Sequence, residues 1–346
     1  MNENKRIVWV DYLKAFTCLL VVIGHLLQSL QKAGIPQNLQ LTNFIIYYIY
    51  LFHMPLFMCI SGFLYSKKKL EETSLSGYIK FEKRKLIDLM IPYFIFYLLY
   101  LGINILFAKD VNSPKGKEEL LGILNNPMSP YWFLYALMAI FLITPVLEKI
   151  FKENKNKVFI LYTILKIISI FYQPNIYFIK SISAYGMYFY LGCFISDKKL
   201  IGKREQSIFI LLHFVIAIII FKYLNNVNKY IYQFIALCMA ICGIIAYIEI
   251  FKNVEKNKVL NTFKSYTFQI FLLHTIFAAG IRIILLKFKI QNYFIHFIVG
   301  ILASIYLPVF VSKISEKIKY TQILFFPTRT IQQIKERKIK VWRKRN

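Results

Sequence analysis

The run "DYLKAFTCLLVVIGHLL" (residues 11–27) decides the fold. With its flanks it is long and apolar enough to cross a bilayer as a helix, which takes about 20 mostly apolar residues. Yet it holds Lys14 and His25 inside the span. Ionisable groups at that depth are costly and usually face a protein interior or a watery cavity. The step from Lys14 to His25 amounts to about three full turns at roughly 100° per residue, so both side chains share one face about 16 Å apart. Asp11 lies on the same side, and Gln28 and Ser29 extend the stripe, leaving an apolar back of Leu, Val and Ile. The bland alternative is that Lys14 snorkels inward and His25 bonds a neighbouring helix.

The rest of the chain has the same character. Of 346 residues, 58% are apolar, and mean hydropathy is +0.51. With 44 Lys+Arg against 17 Asp+Glu, so hydrophobic a basic chain reads as a polytopic membrane protein and not as a nucleic-acid binder. Cys18, Cys59, Cys193, Cys238 and Cys242 all fall in apolar runs without metal or redox spacing, so they read as packing residues. The first run is longer than a signal-peptide core and lacks a small-residue cleavage site, so it is expected to be retained.

Hydropathy predicts an all-α protein of about ten transmembrane helices: 7–30, 41–65, 86–108, 131–150, 157–173, 183–197, 206–224, 230–251, 266–287 and 291–312. Residues 1–312 form the expected membrane domain and 313–346 a basic tail ending "KERKIKVWRKRN". If the N-terminus is cytoplasmic, the inner segments carry 32 Lys/Arg and the outer loops 9, while Lys14, Lys166 and Arg282 lie within spans. That asymmetry places both termini in the cytoplasm of a cell-membrane protein and accounts for most of the net charge. The tail reads as an end facing anionic lipid.

Further motifs follow in order. "LFHMPLFMCISGFLYSKKK" (51–69) has Pro55 in mid-span and Ser61-Gly62-Phe63 near its inner end. "KFEKRKLIDLMIPYF" (80–94) places Lys83, Arg84 and Lys85 before Pro92-Tyr93. "SPYWFLYALMAIF" (129–141) carries Trp132-Phe133-Leu134, and "SYTFQIFLLHTIF" (265–277) ends on Leu273-His274. Together with a basic residue, ten residues and a histidine in the first span, this order resembles the acyltransferase-3 family of integral membrane acyltransferases. The form "FHMPLF" is similar to its sugar and exopolysaccharide O-acetylase branch. Lysine at Lys14 departs from the commoner arginine and removes bidentate contact there.

The resemblance implies a ten-helix fold and transfer of an acyl group, usually acetyl from acetyl-CoA, to a hydroxyl of a glycan or lipid-linked sugar in the cell envelope. Acyl-CoA is then a co-substrate rather than a tightly bound cofactor, and no metal is called for. Lys83, Arg84 and Lys85 are expected to hold the CoA phosphates; ordinary positive-inside bias explains them equally well. A sugar hydroxyl needs a base, and histidine suits neutral pH. His25 is expected to be that base, with Lys14 touching the CoA moiety or offsetting developing charge. Tyr131 and Trp132 are placed to stack on a sugar, although interface aromatics are common. Arg282 is a further candidate contact for the acceptor, and His274 a second catalytic or structural group. Ser61, near the CoA-facing end, is a further candidate contact for CoA, and it reads more as a packing residue than as a nucleophile. His53 reads more as a packing residue than as a site residue, His213 and His296 as structural or interfacial ones, and Lys166 has no assigned role. The competing reading is a transporter or flippase of a glycan or lipid precursor. Against it, no repeat relates the two halves.

Overall fold

The structure, a computed structural model, describes residues 7–71, 75–195, 202–223, 227–318, 320–334 and 336. Among these the chain is all-α, with ten long helices and no strand. They are α1 (Val8–Lys32), α2 (Leu39–Glu71), α3 (Leu75–Leu106), α4 (Trp132–Ile150), α5 (Lys155–Phe171), α6 (Tyr177–Gly192), α7 (Lys203–Tyr223), α8 (Lys229–Phe251), α9 (Thr267–Lys287) and α10 (Tyr293–Lys317). By length and composition, eight of them are apolar and long enough to cross a membrane. The others, α5 and α6, have 17 and 16 residues. The protein is an all-α polytopic membrane protein.

Helix ends depart from hydropathy where charge and helix coexist. α2 runs on through Lys67, Lys68 and Lys69 to Glu71, and α3 starts at Leu75, ahead of Lys83-Arg84-Lys85. These lysines and arginines favour helix and need no lipid to do so. α6 begins at Tyr177, six residues before the expected 183, because Lys180, Ser181 and Ser183 hide its first turns from a hydropathy reading. The extended Ile176 caps it after Gln173-Pro174-Asn175.

α2 lies at the centre, packed against α1, α6 and α8. Its approach to α6 is backbone to backbone. A Cβ on Gly62 would lie 1.7 Å from the Phe189 carbonyl oxygen, and one on Gly192 would lie 1.9 Å from that of Cys59. Only glycine fits such a crossing. The Cys193 thiol donates to the Gly62 carbonyl at 3.4 Å. Ser61 donates to the Phe57 carbonyl at 2.9 Å, one turn back on its own helix. All five cysteines are free.

The end of the bundle that carries the basic segments is tied by Glu148 of α4, 3% exposed. Its carboxylate accepts from Tyr65 at 2.7 Å and Tyr190 at 3.2 Å, and from Lys69 at 2.8 Å. Lys69 also pairs with Glu153. One acid thus joins α2, α4 and α6 below the glycine crossing.

Beyond Lys317 the chain folds back on α3. Phe325 is buried and stacks on Phe96, ring centroids 5.5 Å apart. Thr328 donates its backbone N–H and its hydroxyl to the Asp88 carboxylate, at 3.1 and 2.8 Å. Apart from Glu336, the basic run from 335 to 346 lies outside the described residues. His213 bonds Tyr48 at 3.2 Å and donates to the Met239 carbonyl at 3.0 Å, while His296 donates to that of Ile290 at 2.8 Å; both tie helices or a helix end.

Candidate functional site

α1 runs from the basic face toward the opposite one, and His25 stands about 26 Å along it at 1.5 Å per residue. The half-buried ring opens on a cavity of about 740 Å³. Its wall is built by α1, α2, α5, α6 and α8, with Trp132 from α4, Phe271 from α9 and the 126–130 loop. Pro55 kinks the hydrogen-bond ladder of α2 here, since it has no N–H for the Leu51 carbonyl; both residues line the cavity. A broken ladder within a membrane is tolerated where it borders a cavity.

Three histidines meet at this level. The rings of His25 and His274 are 5.2 Å apart between centroids. Tyr50 stands 6.5 Å from His25 and 4.8 Å from His53. His274 is 1% exposed, and its Nδ1 lies 3.0 and 2.8 Å from the carbonyls of Ile270 and Phe271. A carbonyl only accepts, so the proton sits on Nδ1 and Nε2 keeps its lone pair. That Nε2 is buried and has no hydrogen-bond partner among the described residues. His53 is held in the same way, with Nδ1 donating to the Ile49 carbonyl at 2.7 Å. His274 and His53 are thus each oriented by a backbone carbonyl of their own helix rather than by a carboxylate. Among the described residues no Asp or Glu lines the cavity.

Of the residues singled out from sequence, the cavity gathers His25 and Trp132, with His274 against His25. Trp132 packs on Tyr185 at 5.1 Å, which presents two aromatic faces in one wall. Tyr131 stands elsewhere: it is fully buried and donates to the Leu272 carbonyl at 2.9 Å, which ties α4 to α9. Arg282 is 3% exposed and donates to Ser29 at 2.5 Å, joining α9 to α1 nearer the far face. Its Nε has no partner among the described residues.

Lys14 is about 16 Å below His25 on the same helix face. It forms an ion pair with Asp11 at 2.8 Å. Lys85 is within electrostatic reach of Lys14, Lys68 and Asp88. Lys83, Arg84 and Lys85 are exposed at the basic end of α3. Lys14 and His25 therefore lie toward opposite ends of α1, with Lys85 near the Lys14 end. Among the described residues no group of three or more His, Cys, Asp or Glu is arranged to hold a metal ion.

Among the cavity residues that escaped the sequence reading are two polar ones within spans. His53 read as packing, and Lys166 had no role; both line this wall. The signal for His53 was its place two residues before Pro55, where a polar side chain meets a broken ladder. For Lys166 the signal was its depth in a span.

Comparison with known proteins agrees with this architecture. The chain is 32% identical over 143 residues to "Nodulation protein NolL" of Sinorhizobium fredii, covering 41% of this chain and 37% of that protein. It is 30% identical over 146 residues to "Nodulation protein NolL" of Mesorhizobium japonicum, covering 42% and 37%. The aligned region is therefore well under half of each relative. No solved structure matches the chain. The family model described as "Acyltransferase domain" matches residues 7–313, which include all ten helices up to the last turn of α10. The chain belongs to the acyltransferase-3 family of membrane acyltransferases.

Proposed function

We propose that the protein moves an acyl group, in the first instance acetyl, from cytosolic acyl-CoA to a hydroxyl of a cell-surface glycan or lipid-linked sugar. The observation that carries this reading is His25 on the wall of a cavity large enough for a sugar ring, with the buried His274 ring against it. The family supplies the reaction class. The two relatives, both nodulation proteins, are compatible with a sugar-directed branch.

The chemistry follows from the side chains. The acceptor hydroxyl gives its proton to a neutral nitrogen of His25 as its oxygen attacks the thioester carbonyl. The C–S bond breaks, and the thiolate leaves as CoA–SH once it takes up a proton, which His25 can return. The step needs a neutral imidazole nitrogen, since only its lone pair can take the proton. Lys14, Lys83, Arg84 and Lys85 at the basic face suit the phosphates of CoA. The acyl end must then reach up the face of α1 to the histidines. Trp132 and Tyr185 offer surfaces on which a pyranose can stack.

The test uses purified protein in nanodiscs with acetyl-CoA and a panel of acceptor glycans, reading both free thiol and acetylated product. Wild type should release thiol in step with product, and His25→Ala should not. If neither protein transfers acetyl while a lipid-linked sugar still crosses vesicles holding the protein, the flippase reading replaces this one.

A further inference from the structure

Lys166 and Lys180 both line the same cavity as His25. Lys166 lies about 17 Å along α5 from its basic-face end, within the bundle. Lys180 stands in the first turn of α6, at the opposite face. Neither has an acidic partner among the described residues. Lys166 has only the ring of Tyr188, 5.4 Å from its Nζ. A cation in a membrane span normally pairs with an anion or faces a functional cavity. A tyrosine face recovers only part of the cost of desolvating it. Among the described residues the wall that holds these two lysines contains no carboxylate. At the basic face, by contrast, Lys14, Lys69 and Lys252 each hold an acid. The positive charge of the cavity is thus left open toward whatever enters it.

We propose that the acceptor carries a negative group, a phosphate or a carboxylate, which Lys166 binds in the cavity wall while Lys180 draws it in at the rim. This deepens the acyltransferase reading and rests on it: the anion anchors the acceptor and leaves a neighbouring hydroxyl at His25. Lysine suits the task because its ammonium is a mobile point charge that accepts either kind of anion. A neutral sugar would gain the aromatic stacking and lose the ionic contact.

The experiment measures binding to the full chain in phosphatidylcholine nanodiscs, whose lipid adds no net charge. The probes are tetragalacturonate for carboxylates, glucose 1-phosphate for phosphate, and maltotetraose and glucose as their neutral counterparts. At least one anionic probe should bind about tenfold or more tightly than its neutral counterpart, and added salt should shrink that gap. Whichever anionic probe shows the gap identifies the group. Lys166→Gln should bring the anionic probe to the neutral level, while Lys166→Arg should keep the preference and so report that the wall is folded. Equal affinity for charged and neutral probes, no anion binding up to about 10 mM, or an unchanged preference in a folded Lys166→Gln protein would each overturn the proposal. His25→Ala separates the two readings: it should abolish transfer and keep the preference for anions. Transfer without an anion preference sinks only the inference, and a preference without transfer sinks only the enzyme reading.

Discussion

His25 and His274 come from the first and ninth helices, and their rings lie 5.2 Å apart. The contact depends on α1 and α9 packing side by side, and a second tie supports it: the Cys18 thiol donates to the Thr267 carbonyl at 3.5 Å, seven residues below on both helices. The two helices therefore run parallel with matched register, so that one histidine meets the other. Removing His25 should lower turnover by about 10²–10⁴ if it moves the proton. His274→Ala should cost less, because it removes a neighbour and leaves the base. Steady-state thiol release, with size-exclusion profiles to show intact fold, checks both. A His25→Ala enzyme as fast as wild type would end the general-base role.

The glycine crossing makes a stability prediction. Gly62→Ala or Gly192→Ala places a methyl group inside contact distance of a carbonyl on the partner helix. Overpacking of this kind costs about 1–3 kcal/mol, and backbone cannot step aside as a side chain can. Both variants should lower the Tm, and the double variant should lower it by less than the sum, because the two sites share one interface. Melting curves in detergent decide this. An unchanged Tm for both would mean that α2 and α6 are farther apart.

Glu148 predicts a different loss. Glu148→Ala leaves Tyr65, Tyr190 and Lys69 without their common acceptor. Stranding a partner of a buried charge costs about 3–5 kcal/mol, and Lys69, at 26% side-chain exposure, recovers part of that from water, so roughly 2 kcal/mol is expected. Glu148→Gln keeps the shape and should lose less. Comparing the two variants by thermal melting separates charge from packing.

The arrangement of the two faces can be tested by labelling. A cysteine placed at Glu118 should react with an impermeant thiol reagent applied to intact cells, and one at Lys149 should react only after the membrane is opened. The reverse pattern would place the histidine cavity toward the cytosol and the basic face outside.

Much of this fold was legible in sequence because each helix in a bilayer must be apolar for most of its length. The ten expected runs correspond to the ten long helices among the described residues, eight of them long and apolar enough to span. Their ends were less legible, since "SKKKLE" after the second span remains helical where hydropathy falls away. α6 was misplaced for a related reason: Lys180, Ser181 and Ser183 are polar toward a cavity, which a hydropathy window cannot tell from polar toward water. Within the site, His25 stood out because a shared face with Lys14 can be computed along one helix. Lys166 and His53 did not, because their meaning depends on which helices converge, and periodicity within a single helix does not encode that. Tyr131 shows the converse. It sits beside Trp132 in sequence, yet a step of about 100° turns it from the cavity to α9.

The fold-back of the chain after α10 has a consequence for how the basic face responds to change. Asp88, the acceptor for Thr328, lies one helical turn past Lys83-Arg84-Lys85 on α3. The last described segment therefore acts as a splint on the helix that carries those cations, and Phe325 against Phe96 is its anchor. A chain stopped after residue 318 should keep its ten helices and lose the rigidity of that one end. Backbone amides of α3 near Asp88 should then exchange hydrogen faster, while those around Gly62 stay protected. The stretch from Phe325 to Thr328 belongs mechanically to the third helix, and so to the face where acyl-CoA is proposed to arrive.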